Sequence, residues 1–279
     1  MSFSQLLLVG AIAGFTVYLG LPVAALRRTG LRTRGVLNGI ATGILVYLMI
    51  EILKSPLGFG EDALEHAIGK SSTDLLLLFS VLVGGVTLGL VGIPILERWM
   101  LRQWARSPRP LGIVAQTVTA PSRERAKELQ PFVLALMISA GIGLHNFSEG
   151  LAIGQQATLG HMSLAWALII GFALHNITEG FGIAAPLAGT RPSLGFLALA
   201  GLIAGGPTFL GTVVGASWQS PLASIAFLAL AGGALLYVIS ELLRLGHAML
   251  AKVPFMLSLS LGFFIGYFTE LVLERVLGG

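Results

Sequence analysis

The chain has 279 residues, 55% of them hydrophobic and only 11% charged, with a net charge of +4 and a mean hydropathy of +0.87. So apolar a composition excludes a water-soluble globule, and the absence of cysteine excludes disulfides and thiolate metal sites. What remains is an integral membrane protein that works with nitrogen and oxygen donors; the lipid bilayer is its partner, and no nucleic-acid partner is expected.

Windows of about 20 apolar residues, the length that crosses the hydrocarbon core as a helix, recur eight times. They lie at roughly 4–26, 35–54, 74–97, 131–157, 162–188, 194–217, 222–246 and 254–276. The alternation expected of barrel strands is missing, so the expected fold is all-α: one transmembrane domain over residues 1–279, an eight-helix bundle. The first window has no basic region before it and is long for a signal peptide, so it counts as a span. Of the 37 glycines, many are spaced as small-xxx-small (Gly39 and Gly43, Gly85 and Gly89, Gly150 and Gly154, Gly201 and Gly205, Gly262 and Gly266), which lets helix backbones approach closely in lipid.

Between the first and second windows stand Arg27, Arg28, Arg32 and Arg34. After the third come Arg98, Arg102, Arg106, Arg109, Arg123, Arg125 and Lys127, after the fifth Arg191, and after the seventh Lys252, with Arg244 near that window's end. Most of the cationic side chains thus fall on one face, which is expected to be cytoplasmic, with both termini on the other side of a plasma membrane. The basic stretch 98–130 reads as a solvated cytoplasmic loop near anionic lipid. "EDALEH", after the second window, reads as a solvated acidic face and is assigned no site.

The fourth window contains "LHNFSEG" and the fifth "LHNITEG". His145 and Glu149 are four residues apart, as are His175 and Glu179, so each pair shares a helix face. A turn near Gly160 to Met162 is almost equidistant from both phrases. Folding the chain there brings His145 to the depth of Glu179 and Glu149 to the depth of His175, about 20 Å in at 1.5 Å per residue. Two uncompensated carboxylates in hydrocarbon would cost several kcal/mol each. A divalent cation removes that cost, and imidazole with carboxylate suits zinc, or iron and manganese with added oxygens. Asn146 and Asn176, rotated about 100° from the histidines, offer amide oxygens as further ligands or as hydrogen-bond partners of the carboxylates. Glu51 and Glu241, near opposite ends of the second and seventh windows, are candidate stations on an ion path, with Glu270 and Glu274 weaker ones. A structural His/Glu network is the bland alternative.

The layout and the His-Asn-x-x-Glu-Gly phrase resemble the ZIP family of divalent metal transporters. The resemblance implies eight helices with both termini outside and a transport site made by His145, Asn146, Glu149, His175, Asn176 and Glu179. It further implies two helix bundles moving against each other, with the inverted-repeat character of a transporter. Ser148 and Thr178 stand where the family usually has proline, and Asn176 where an acid is frequent. "AGGPTFLGT" in the sixth window has no acid to complete a second metal, so one principal ion is expected. Glu51 stands near where relatives place a polar or histidine ligand in the second helix. The expected activity is inward transport of a divalent cation as cargo, zinc first, with iron, manganese and cadmium as alternatives. No prosthetic group is implied, and a homodimer is left open. A cation channel and an intramembrane metalloenzyme use the same donors and stay open as readings, although no His-Glu-x-x-His phrase supports the enzyme.

Overall fold

The computed structural model of the chain describes residues 2–22, 30–58, 72–106, 122–160, 162–187, 190–217 and 220–277. Among them the helices are α1 (Phe3–Phe15), α2 (Val17–Gly20), α3 (Leu31–Gly58), α4 (Ser72–Arg106), α5 (Ser122–Thr158), α6 (Met162–Ala184), α7 (Leu194–Ser217), α8 (Pro221–Met249) and α9 (Lys252–Leu277), with a 3-10 turn at Ala185–Leu187. No strand occurs among the described residues. Eight helical segments are long and apolar enough to span a bilayer; α1 and α2 together form the first, broken at Thr16. Alternate crossings put both termini and the α5–α6 turn on one side, called here the terminus side. The stretch between α4 and α5 lies on the other, the loop side.

The long helices outrun the hydrocarbon. α4 reaches Arg106 and α5 starts at Ser122, so both flanks of the expected basic loop 98–130 are helical and only 107–121 lie outside the described residues. The reason is local: "ERWMLRQWAR" and "SRERAKELQ" are rich in good helix formers, and charge sets where the bilayer ends, not where the helix does. The "EDALEH" cluster also lies outside the described residues. The α5–α6 turn closes at Gly160, whose φ of +83° is open to glycine at little cost.

Packing sorts the helices into two bundles. α7 lies along α5 and crosses α1, while α6 packs on α1 and α2; in the other group α8 packs on α4 and α3, and α3 on α9. The α5–α6 hairpin is the seam, with α5 against α4 and α8, and α6 against α3 and α9. Each of these contacts has a counterpart under one exchange: α1 and α2 with α7, α3 with α8, α4 with α9, and α5 with α6. Because exchanged helices cross the bilayer in opposite directions, this is an inverted repeat.

Glycine contacts give its register. A methyl on Gly14 would strike the Gly205 carbonyl, and one on Gly205 the Gly14 carbonyl. Gly20 abuts Ile177 and Gly180, and its counterpart Gly211 abuts Phe147 and Gly150. Gly43 faces Leu259 and Phe263, as Gly233 faces Val86 and Leu90. The repeat is then visible in the letters: "GAIAGFTVYLG" (10–20) aligns with "GLIAGGPTFLG" (201–211), and "ATGILVYLMIE" (41–51) with "AGGALLYVISE" (231–241). Side chains obey it too. Tyr237 donates to Glu97 at 2.7 Å, and its counterpart Tyr47 donates to Glu270, tying α8 to α4 and α3 to α9.

Candidate metal centre

Two continuous helices bring the repeated phrases together. Neither is interrupted where the family has proline: Ser148 donates to the Leu144 carbonyl at 3.4 Å and Thr178 to that of His175 at 2.7 Å, both bonds within their own helix. The antiparallel pairing sets His175 beside Glu149, with Nε2 and Oε1 hydrogen-bonded at 2.7 Å, and His145 across from Glu179 at 3.9 Å. His145 Nε2 also stands 2.9 Å from Glu149 Oε1, but out of line for a hydrogen bond. The two imidazoles stack with centroids 6.2 Å apart, and Phe172 lies edge-on to His175 at 5.4 Å. Donor atoms of His145, Glu149 and His175 all lie within 4.8 Å of one another.

The asparagines connect this layer to the crossing helices. Asn146 Nδ2 donates to Glu179 Oε2 and to the Ala204 carbonyl of α7, each at 3.1 Å. Asn176 Nδ2 donates to the Ala13 carbonyl of α1 at 2.8 Å. Ala13 and Ala204 are counterparts in the repeat, so each phrase is anchored to its own crossing helix in the same way.

Burial makes the arrangement chemically demanding. Glu179 and both asparagines are fully enclosed, and His145 and Glu149 are only 3% and 5% exposed. Buried polar atoms are ordinarily satisfied. Here His145 Nδ1, Glu149 Oε2, Glu179 Oε1, Asn146 Oδ1 and Asn176 Oδ1 have no hydrogen-bond partner, and all belong to one layer. Among the described residues no lysine or arginine pairs with either carboxylate. A layer with two carboxylates, two imidazoles and two amide oxygens, short of donors, calls for a cation; mixed nitrogen and oxygen ligation is what a borderline divalent metal accepts.

The outlying acids are placed differently. Glu241 does not belong to the layer: it is ion-paired with Arg244 at 2.5 Å towards the loop-side end of α8. Glu270 is bonded to Tyr47. Glu51 lies within α3, but its side chain, like that of Glu274, falls outside the described residues. Sequence reading did not find Ala13 and Ala204, whose contribution is a main-chain carbonyl. The repeated "IAG" in the first and sixth spans is the signal that marks them.

A family model described as ZIP Zinc transporter matches residues 114–274, more than half of the chain, including α5 to α8 and most of α9. No curated protein matches the chain.

Proposed function

The chain belongs to the ZIP zinc transporter family, and from that premise we propose that it carries a divalent transition metal, zinc first, into the cytoplasm through the layer of His145, Asn146, Glu149, His175, Asn176 and Glu179. The observation carrying this reading is the cluster of buried unpartnered donors midway along the antiparallel α5–α6 hairpin. Glu149 is the central ligand, because one of its oxygens already meets both imidazoles while the other is free. Glu179 and His145 complete the layer on the loop side. Imidazole and carboxylate bind metal only when deprotonated, so binding releases protons and affinity falls as the pH is lowered.

Alternating access, in contrast to an open pore, is supported by the packing on the loop side of the layer. There Val133, Ile138, Ile142, Ile183, Phe196 and Val238 form part of one fully buried apolar core. A hydrated ion does not cross such a barrier without movement of one bundle against the other.

Zinc, iron, manganese and cadmium uptake into proteoliposomes, compared for the wild type and a Glu149→Ala, Glu179→Ala double variant, tests the proposal. Saturable zinc uptake that the double variant loses is expected; uptake retained in the variant refutes the site, and unsaturable current refutes the carrier.

A further inference from the structure

An amide can turn either end towards an ion, and only the oxygen end binds it. What fixes the choice in each phrase is a main-chain carbonyl, which accepts hydrogen bonds and never donates them. The Ala204 carbonyl receives Asn146 Nδ2 and the Ala13 carbonyl receives Asn176 Nδ2, leaving both Oδ1 atoms buried and unpartnered. With Nδ2 committed to the flanking helix, and in Asn146 to Glu179 Oε2 as well, Oδ1 is the end left for a cation.

Main-chain carbonyls inside helices are normally taken by the helix itself, so their availability needs a cause. In the first span the helix breaks at Thr16, and the Ala13 carbonyl accepts the Thr16 hydroxyl at 2.8 Å as well as the amide of Asn176. At the counterpart position of α7 stands Pro207, whose missing N–H leaves the carbonyl of Ile203, the residue before Ala204, without its helical partner. The carbonyls also have to come close to α5 and α6. They do so because α1 and α7 cross backbone to backbone at Gly14 and Gly205, each the residue after the alanine concerned, with no room for a methyl on either.

We infer that α1 and α7 are the positioning elements of the ion layer: the crossing at Gly14 and Gly205 presents the carbonyls of Ala13 and Ala204 to the two asparagine amides and so turns both amide oxygens towards the cation. The inference rests on the transport-site reading above and adds three positioning residues to it, Gly14, Thr16 and Gly205, none of which touches the ion.

Zinc affinity of the purified full-length protein, measured by competition with a fluorescent chelator, gives the test as a double-mutant cycle between Gly205→Ala and Asn146→Ala. Each single change is expected to weaken zinc binding by about tenfold to a hundredfold, the usual effect of losing a partner that orients a ligand. The double variant is expected to lose less than the product of the two single losses, because the glycine acts in part through the Asn146 amide. Single effects that multiply, or a Gly205→Ala protein that binds zinc as the wild type does, overturn the inference. If Gly205→Ala yields no folded protein, the nearly isosteric Thr16→Val paired with Asn176→Ala runs the same cycle: non-multiplying losses support the inference, and multiplying losses or unchanged affinity in Thr16→Val overturn it. Failure of the underlying reading looks different: Glu149→Ala then leaves zinc affinity unchanged.

Discussion

The loop-side half of α5 and the terminus-side half of α6 occupy equivalent places in the inverted repeat, yet their surroundings differ. On α5, Leu136, Ile138 and Ile142 are sealed between α4, α7 and α8. Their counterparts on α6 are Trp166, Leu168 and Phe172; the tryptophan is 45% exposed and the other two only partly covered. The contrast reaches the candidate metal layer, where the His175 side chain keeps 11% of its surface and that of His145 only 3%. Two copies of one phrase therefore sit on a closed side and a more open side. The repeat supplies two equivalent surroundings for the layer, and tertiary packing covers one of them more completely than the other.

The largest effect should come from treating the two carboxylates as equals. Glu149→Ala removes the oxygen that meets both imidazoles, so radiolabelled zinc uptake should fall by more than about a hundredfold, whereas Glu179→Ala should cost nearer tenfold. Equal losses would mean that the asymmetry is confined to packing. The open and closed sides can next be read directly, since the chain has no native cysteine to interfere. Phe172→Cys should react with a membrane-impermeant maleimide added on the terminus side, and Ile142→Cys should stay unreacted with reagent on the loop side; the reverse pattern would invert the comparison. Core substitutions follow. Ile138→Ala, in the sealed half, should destabilise the protein by about 2–5 kcal/mol. Leu168→Ala, at the equivalent and partly covered place, should cost less, as measured by thermal unfolding in detergent. The smallest difference is expected where the symmetry holds. Tyr47→Phe and Tyr237→Phe each lose one hydrogen bond to a glutamate and should lower stability by about 0.6 kcal/mol apiece. Markedly unequal values would show that the two ends of that bundle differ as well.

Much of this was legible in the letters. The spans, the α5–α6 turn and the shared depth of His145 with Glu179 follow from hydropathy, glycine and the four-residue spacing, because a membrane leaves the backbone few choices besides a helix. The ends of α4 and α5 were not legible, since hydropathy marks the bilayer boundary and says nothing of a charged helix continuing into water. Glu241 looked like a station on an ion path because a carboxylate near a span end is ambiguous. Arg244, one turn on, pairs with it, a contact that hydropathy does not reveal. The inverted repeat between "GAIAGFTVYLG" and "GLIAGGPTFLG" left a trace that only the contact of Gly14 with Gly205 makes meaningful. Its functional content lies in a main-chain carbonyl, a group every residue owns, so no side chain announces it.

A scaffold that matches itself when turned upside down has no up or down of its own. Its chain can enter the bilayer either way and bury the same surfaces. The cue that the positive-inside rule supplies is Arg27, Arg28, Arg32 and Arg34 beside the connection from the first span to the second, with the basic stretch after α4 on the same side, set against "SWQSP" at the equivalent connection from α7 to α8, which carries no cation. Transplanting those arginines would ask the translocation machinery to build the same molecule facing the opposite way.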